Sequence, residues 1–306
     1  MKKATLVAAV AFVAAAATLT LAGCGGNPLS SGDTGATTKP GGQVIIGSAD
    51  FPESQIIASI YSQVLKKAGV TVKEQFNIGS REVTMAALKD GSLDLMPEYS
   101  SSLLKYLDQK STAATTGEVL TELTAKLPKG LSLLEVSKAM DNDVLAVTQQ
   151  TADKYKLTKI SDLAAIGDKV SLGGPPEWKT RVNGVLGLHD LYGITFKEFV
   201  TLDAGGPLTM TALTSGQVQV GDIFSTDPGI AANKLVVLKD DKSLFAAESV
   251  VPVITTAKSS DTITKALNAV STKLTTDDLI DMNGKAATGA SLADIAKAWL
   301  TKVGLL

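Results

Sequence analysis

The sequence predicts an α/β protein made of two lobes joined by a two-strand hinge, and three observations support this prediction. From Val44 onward, short β-branched runs alternate with amphipathic helical segments, which is typical of parallel β-α-β units. Residues 84–95 and 209–220 align without a gap and share Thr, Met, Ala, Leu and Gly, which indicates an internal repeat. Apolar runs at 144–148 and Val250–Thr255 lie where the chain would leave the first lobe and return, so we interpret them as the crossing strands.

The first lobe begins with alternating strands and helices. Ile57, Ile60 and Val64 follow one another at three- and four-residue spacing, which predicts an amphipathic helix. Asp50 and Glu53 stand three residues apart ahead of it, which predicts a capping box. The predicted elements are, in order, a strand at Val44–Gly47, a helix at 56–68, a strand at 70–76, a helix at 82–89 and a strand at 93–96.

The repeat predicts where the lobes would meet a ligand. In each copy a helix ends on a glycine, Gly91 or Gly216, which takes a left-handed turn easily, and an alternating strand follows. A polar loop comes after each strand, at 97–101 and 225–229. Open α/β sheets bind ligands at the carboxyl ends of their strands, so two facing lobes would enclose a ligand in a cleft.

These elements predict how the chain is divided. Helical periodicity at 263–274 and 292–303 indicates a tail that closes the first lobe. The predicted parts are a signal peptide at 1–23, a flexible tether at 24–42, a discontinuous first lobe at 43–146 plus 252–306, and a second lobe at 147–251.

The N-terminal segment has the pattern of a secretion signal. Lys2 and Lys3 precede an uncharged apolar stretch at 4–19, and Leu-Ala-Gly-Cys at 21–24 resembles a bacterial lipobox with Cys24 as the acylated residue. A retained membrane helix is the alternative. Of the 18 residues at 25–42, 13 are Gly, Pro, Ser or Thr, which indicates a tether to the outer face of a membrane.

Composition excludes several classes of function. Lys and Arg total 29 against 31 Asp and Glu without a basic run, which argues against a nucleic acid partner. One cysteine and one histidine, His189, are too few for an intrachain disulfide or a Cys/His metal cluster, so we expect no cofactor and no metal. We expect His189 to be a surface or packing residue, and therefore no enzyme. A hydrolase that uses the carboxylate pair Glu98 and Asp227 remains an alternative.

Five separated motifs carry a family resemblance. They are Gly-Ser-Ala-Asp-Phe-Pro-Glu-Ser at 47–54, Gly-Ser-Arg-Glu-Val at 79–83, Asp-Leu-Met-Pro-Glu-Tyr-Ser at 94–100, Leu-Val-Val-Leu-Lys-Asp-Asp at 235–241 and Ala-Trp-Leu at 298–300. Together they resemble the ProX-like, OpuAC-family osmoprotectant-binding proteins of bacterial ABC importers, the glycine betaine, choline and carnitine group. The resemblance implies a two-lobed type II periplasmic-binding fold that closes around a small solute and delivers it to a permease driven by an ATPase.

The resemblance also implies a binding site with aromatic faces, because a quaternary ammonium has no hydrogen to donate. Tyr99 matches the tyrosine of the family's Glu-Tyr-Thr-Gly-like motif. Trp178 stands where relatives carry an aromatic residue after a strand of the second lobe, although it could instead fill the core of that lobe. Arg181 could bind a ligand carboxylate or be a solvated charge.

The chain departs from the family pattern at several cleft positions. Relatives that bind betaine tend to carry tyrosine at Met210 and threonine or aspartate at Arg81. We expect Arg81 to repel a bare cation and to favour a carboxylate, which makes choline a less suitable ligand. For betaine to bind, Phe51 or Phe224 would have to replace the tyrosine rings that relatives carry and this chain lacks. A larger or aromatic polar ligand remains an alternative.

The remaining predicted ligand contacts are Asp50, Ser80, Thr226 and Asp227, each at a strand-to-helix loop. Helix capping is the alternative role for Asp50 and Ser80. The sequence as a whole predicts a monomeric, lipid-anchored extracytoplasmic solute-binding component of an ABC importer, with a permease, an ATPase and the membrane as partners. A structural or signalling lipoprotein that binds no metabolite is a further alternative.

Overall fold

The computed structural model describes residues 42–306, and the predicted signal peptide, Cys24 and all but the last residue of the tether lie outside them. The first half of the described chain contains β1 (Val44–Gly47), α1 (Pro52–Lys67), β2 (Val72–Gln75), α2 (Arg81–Asp90), β3 (Leu95–Tyr99), α3 (Ser100–Leu107), α4 (Thr116–Lys126) and β4 (Leu131–Leu133). The second half begins with β5 (Asp143–Thr148), α5 (Gln149–Tyr155), β6 (Ser171–Gly174), α6 (Val185–Tyr192), β7 (Glu198–Thr201), α7 (Pro207–Thr214), β8 (Val220–Phe224), α8 (Gly229–Ala232) and β9 (Leu235–Val237). The chain ends with β10 (Val250–Thr255), α9 (Asp261–Lys273), α10 (Thr276–Ala287) and α11 (Leu292–Lys302).

The strands form two five-stranded sheets with the same topology. The first has the order β2-β1-β3-β10-β4 and the second has the order β7-β6-β8-β5-β9. In each sheet the first three strands are parallel, and the fourth runs antiparallel to both of its neighbours. The two lobes are therefore copies of one α/β unit, which confirms the predicted two-lobed fold class.

The internal repeat is also visible in the backbone. Gly91 directly follows α2, and Gly216 lies two residues after the end of α7; both have positive φ, at 81° and 79°. The Leu93 N–H donates to the Ala87 carbonyl in the first copy, and the Val218 N–H donates to the Ala212 carbonyl in the second. Helix, left-handed glycine and strand thus recur with the same turn, because glycine adopts this backbone conformation without strain.

The two crossings between the lobes lie side by side. Met140 and Ser249 form an isolated antiparallel bridge, and the Asp141 N–H donates to the Glu248 carbonyl. The predicted boundaries at 146/147 and 251/252 fall inside β5 and β10. However, β5 pairs only within the second sheet and β10 only within the first. The chain therefore passes from one lobe to the other a few residues before each of these strands.

Apolar clusters cover both faces of each sheet. In the first lobe, α1, α9, α10 and α11 pack on one face and α2, α3 and α4 on the other. In the second lobe, α5 and α6 cover one face and α7 the other. No helix within residues 42–306 has both the length and the apolar character needed to cross a bilayer.

Two local predictions are wrong, and one helix was missed. Phe51, not Asp50, is the N-cap residue of α1, and its side chain makes no capping hydrogen bond, because the helix begins at Pro52 and the Glu53 side chain turns elsewhere. The predicted polar loop at 97–101 is the end of β3 and the start of α3. The helix α10, which the sequence analysis missed, begins with a capping box formed by Thr275 and Asp278.

Candidate functional site

Seven of the ten predicted ligand contacts line one cavity between the lobes. The first lobe contributes the start of α1, the start of α2 and the end of β3, and the second lobe contributes the segment after β6 and the end of β8. The seven residues are Asp50, Phe51, Ser80, Arg81, Tyr99, Trp178 and Arg181. The other three are Met210, Thr226 and Asp227, which line a neighbouring cavity. We call the first of these the cleft cavity.

Four aromatic residues line the cleft cavity, two from each lobe. Phe51 contacts two of the other rings, with its ring centroid 5.8 Å from that of Tyr99 and 5.0 Å from that of Phe224. Because Phe51 and Phe224 belong to different lobes, their contact crosses the cleft. The ring pair also lines both cavities and thus separates the cleft cavity from its neighbour.

Trp178 lines the cleft cavity but is also part of the second lobe's core. Pro175 and Pro176 start the short 3-10 helix that carries it, and proline's fixed φ favours that turn. The indole is 1% exposed and stacks on Phe245 with a centroid distance of 6.2 Å. Its N–H donates to Asp143 Oδ2 over 3.3 Å. The sequence predicted Trp178 either as a ligand contact or as a core residue, and each of these roles describes part of its environment.

Arg81 is held by a carboxylate of its own lobe. Its Nε and Nη2 atoms donate to both oxygens of Glu98 over 2.9 to 3.0 Å, and the two side chains are only 11% and 3% exposed. The neighbouring carboxylate compensates the charge of Arg81. The expectation that Arg81 repels a bare cation and favours a ligand carboxylate assumed an unpaired guanidinium, whereas the structure pairs this group with Glu98.

Arg181 connects the two lobes. It donates to both oxygens of Glu82 on α2 over 3.2 and 2.9 Å. The Ser80 hydroxyl donates to the same Glu82 over 2.6 Å, so Ser80 does not cap α2 through its side chain. Burial opposes ionisation of Glu82, but the hydrogen bonds from Arg181 and Ser80 outweigh it and lower the pKa to about 2.

A second contact between the lobes is centred on Glu53, which the sequence analysis did not assign to the site. This carboxylate is 3% exposed and accepts hydrogen bonds from Tyr99 and Asn283 of the first lobe, over 2.7 and 2.6 Å. It also accepts a 2.7 Å hydrogen bond from the Thr226 hydroxyl of the second lobe. Glu53 therefore links the closing faces next to the aromatic rings.

The cleft cavity is strongly acidic. Among residues 42–306, seven carboxyl groups and two guanidinium groups line it, and no lysine or histidine does. The carboxyl groups belong to Asp50, Glu98, Asp141, Asp143, Glu177, Asp222 and Glu248. Those carboxyl groups of the lining that are ionised attract positive charge electrostatically.

Most of the buried cleft carboxyl groups have hydrogen-bond donors within the protein. Asp141 accepts from the Ser225 hydroxyl and the Thr226 N–H, each over 3.0 Å. Glu248 accepts from the N–H and the hydroxyl of Ser102 over 2.8 to 3.1 Å. Burial nevertheless raises the pKa of Glu248 to about 8 and raises the pKa of Asp141 well above its ordinary value.

The raised pKa of Glu248 predicts a pH dependence of stability. Between pH 5 and 8 the folded state keeps a proton that the unfolded state has lost, since an unfolded glutamate has a pKa near 4.5. Stability of the ligand-free protein is therefore expected to fall as pH rises through this range. The melting temperature of Glu248→Gln should fall less steeply than that of the wild type over the same pH series. Parallel profiles would mean that Glu248 is already ionised in the fold.

The neighbouring cavity contains the three remaining predicted contacts. Met210 on α7 lines it together with Asp227, whose Oδ1 accepts a 2.6 Å hydrogen bond from the Gly229 N–H. Burial raises the pKa of Asp227. Since Glu98 lines the cleft cavity and Asp227 the neighbouring one, the two carboxylates of the alternative hydrolase line different cavities. The imidazole of His189 is exposed, and within the described chain its hydrogen-bond partner is Asp190.

Sequence reasoning missed the acidic residues that lie on strands and crossings. Asp143 begins β5, Asp222 lies within β8, and Glu248 lies in the second crossing segment. Asp222 had a signal that could have revealed it, because a charged residue inside an otherwise apolar strand is rarely buried without a function. Asp143 and Glu248 become recognisable only in the tertiary structure, where the two segments that connect the lobes lie beside the cleft cavity.

Comparisons with known proteins agree with this architecture. A glycine-betaine-binding protein from Pseudomonas aeruginosa is 32% identical over 223 residues, covering 68% of this chain and 70% of its own. The carnitine transport binding protein OpuCC from Listeria monocytogenes is 26% identical over 259 residues, covering 79% and 80%. The crystal structure of a glycine betaine/carnitine/choline ABC transporter protein superposes with a TM-score of 0.67 at 24% identity, covering 86% of this chain and 99% of that one.

The match to a protein family covers nearly all of the described chain. Residues 42–302 match the OpuAC family, whose description is the substrate-binding domain of an ABC-type glycine betaine transport system. With its two matching α/β lobes and the cleft between them, this chain belongs to the OpuAC family of ABC-transporter substrate-binding domains.

Proposed function

We propose that the cleft cavity captures a small quaternary ammonium solute of the glycine betaine, choline and carnitine type and that the protein passes it to a permease without chemical change. One observation carries this proposal. Phe51 and Tyr99 from one lobe and Trp178 and Phe224 from the other line a single acidic cavity. Aromatic faces and negative charge together stabilise a cation that has no N–H to donate, each cation-π contact contributing about 0.5 to 2 kcal/mol.

Closure of the lobes is the proposed means of capture. The Glu82–Arg181 ion pair and the Glu53–Thr226 hydrogen bond both join one lobe to the other at the cleft. A ligand that contacts both lobes adds to these contacts only when the cleft is closed, and therefore shifts the population toward the closed form. A permease can distinguish the two forms by the separation of the lobes.

The location of the protein is part of the proposal. Lys2, Lys3 and the lipobox-like sequence that ends in Cys24 support export and lipid attachment to the outer face of a membrane. The Gly- and Ser-rich residues that follow support a flexible tether. The protein would act as a monomer beside its permease and ATPase.

A thermal-shift screen of the purified protein tests the proposed function. A ligand present at one hundred times its Kd is expected to raise the melting temperature by roughly 5 to 10 °C, because it binds only the folded state. The panel is glycine betaine, choline, carnitine, proline and ergothioneine. Sucrose at the same concentration is the control, since osmolytes also stabilise proteins by exclusion from the surface. Shifts no larger than that of sucrose for the whole panel would overturn the proposal.

A further inference from the structure

Asp222 differs from the other buried carboxyl groups of the cleft cavity. Its side chain lines the cavity and is 1% exposed. Its Oδ1 atom is buried and accepts no hydrogen bond from any group within residues 42–306. Buried polar atoms in folded proteins nearly always have a partner, and an unpaired one is unfavourable. An unpaired carboxyl group at a binding cavity therefore points to a partner that arrives with the ligand.

The local fold holds Asp222 in this position. It lies within β8, in register with Leu145 of β5, so its backbone is fixed in the middle of the second sheet. Gly174 ends the adjacent strand β6, and a Cβ atom there would lie only 3.2 Å from the Cβ of Asp222. Glycine thus leaves room for the carboxyl group. Burial and the nearby Asp143 raise the pKa of Asp222 well above its ordinary value, although Arg181 opposes this.

The cationic side chains of the cavity are already occupied. Arg81 uses three hydrogen bonds on Glu98, and Arg181 uses two on Glu82. A ligand carboxylate would have to displace one of these carboxylates and would also meet the acidic lining. A positive group on the ligand, in contrast, can pair with Asp222, whose Oδ1 atom has no hydrogen-bond partner within residues 42–306.

We infer that Asp222 receives the positive group of the ligand and that the cleft consequently prefers a cation without a carboxylate to a zwitterion. This inference rests on the proposed function, since it takes the cleft cavity as the ligand site. It assigns Asp222 as the residue that determines specificity. The sequence analysis expected Arg81 to favour a ligand carboxylate over a bare cation, and this inference expects the opposite preference.

Choline and glycine betaine form a matched pair for the test, because both carry a trimethylammonium group and only betaine carries a carboxylate. Their Kd values are measured by calorimetry for the wild type, Asp222→Asn and Asp190→Asn. Asp190 is an exposed carboxyl group that does not line the cleft cavity, so its variant removes the same charge from a place outside the site. Asp222→Asn should melt no lower than the wild type, because it replaces a buried ionisable group by an amide of the same shape.

We expect the wild type to bind choline about tenfold more tightly than betaine, because the Asp222 carboxyl group lacks a partner in the protein and gains one when a cation binds. Asp222→Asn should weaken choline binding about tenfold and nearly remove the preference, whereas Asp190→Asn should keep it. Betaine binding as tight as choline binding in the wild type would overturn the inference and leave the proposed function intact. A preference that Asp222→Asn leaves unchanged, or that Asp190→Asn removes equally, would also overturn it. If neither compound binds, the inference fails, and the thermal-shift panel decides the proposed function separately.

Discussion

Arg81→Thr is expected to lower the free energy of unfolding by about 3 to 5 kcal/mol, because it leaves Glu98 buried without its counter-charge. Both side chains lie almost entirely out of solvent, and three hydrogen bonds join them. Threonine is too short to reach Glu98, so the carboxylate must be desolvated alone or take up a proton. Chemical denaturation at pH 7 measures the loss.

The matched control for this variant is Arg181→Thr. Its ion pair with Glu82 is more accessible, with side chains 20% and 43% exposed, and such pairs contribute only about 0 to 1 kcal/mol. The two variants remove the same charge and the same side chain from the two sides of one cavity. Equal losses of stability would contradict the interpretation that Arg81 is a buried structural partner of Glu98.

Trp178→Ala is expected to lower the free energy of unfolding by about 3 to 5 kcal/mol and also to remove most of the ligand-induced thermal shift. The stability loss follows from the burial of the indole against Phe245, and the loss of the Asp143 hydrogen bond adds to it. The binding loss follows from the position of the ring in the cleft cavity. Denaturation and thermal-shift measurements on the same protein preparation separate the two effects.

Trp299→Ala provides the comparison, because Trp299 is the other tryptophan of the chain. It is 3% exposed on α11 in the core of the first lobe, and it does not line the cleft cavity. The variant should be destabilised to a similar extent while its ligand-induced shift remains. If Trp178→Ala keeps a full ligand shift, Trp178 is a core residue and not part of the binding site.

Much of the fold could be predicted from the sequence because its signals are local. Strand β1 begins and ends at the predicted residues, and the helices α1, α2, α9 and α11 lie close to the predicted positions. These predictions depend on periodicity and turn residues within a few positions of one another. The repeat added the one long-range prediction, the pair of matching lobes, because a duplicated local pattern implies a duplicated architecture.

The candidate site could be predicted only in part. Tyr99 and Trp178 were found through the family resemblance, because Tyr99 matches a tyrosine of a family motif and Trp178 stands where relatives carry an aromatic residue. Glu53 was missed because its spacing from Asp50 also fits a capping box. Asp222 was missed because the internal repeat identified only its strand. The alignment of two sequence segments does not show which side chains lack a partner in the fold.

The sequence by itself determined that two sheet-and-helix lobes of the same design face one another and that aromatic side chains stand at their meeting edges. Only the tertiary structure decided the charges of the cleft, since the partners are far apart in the chain. Glu82 and Arg181 are separated by 99 positions, and Glu53 and Thr226 by 173. Whether an arginine is free or paired depends on burial and on which carboxylate the fold brings within about 3 Å, and neither property can be read from local sequence spacing.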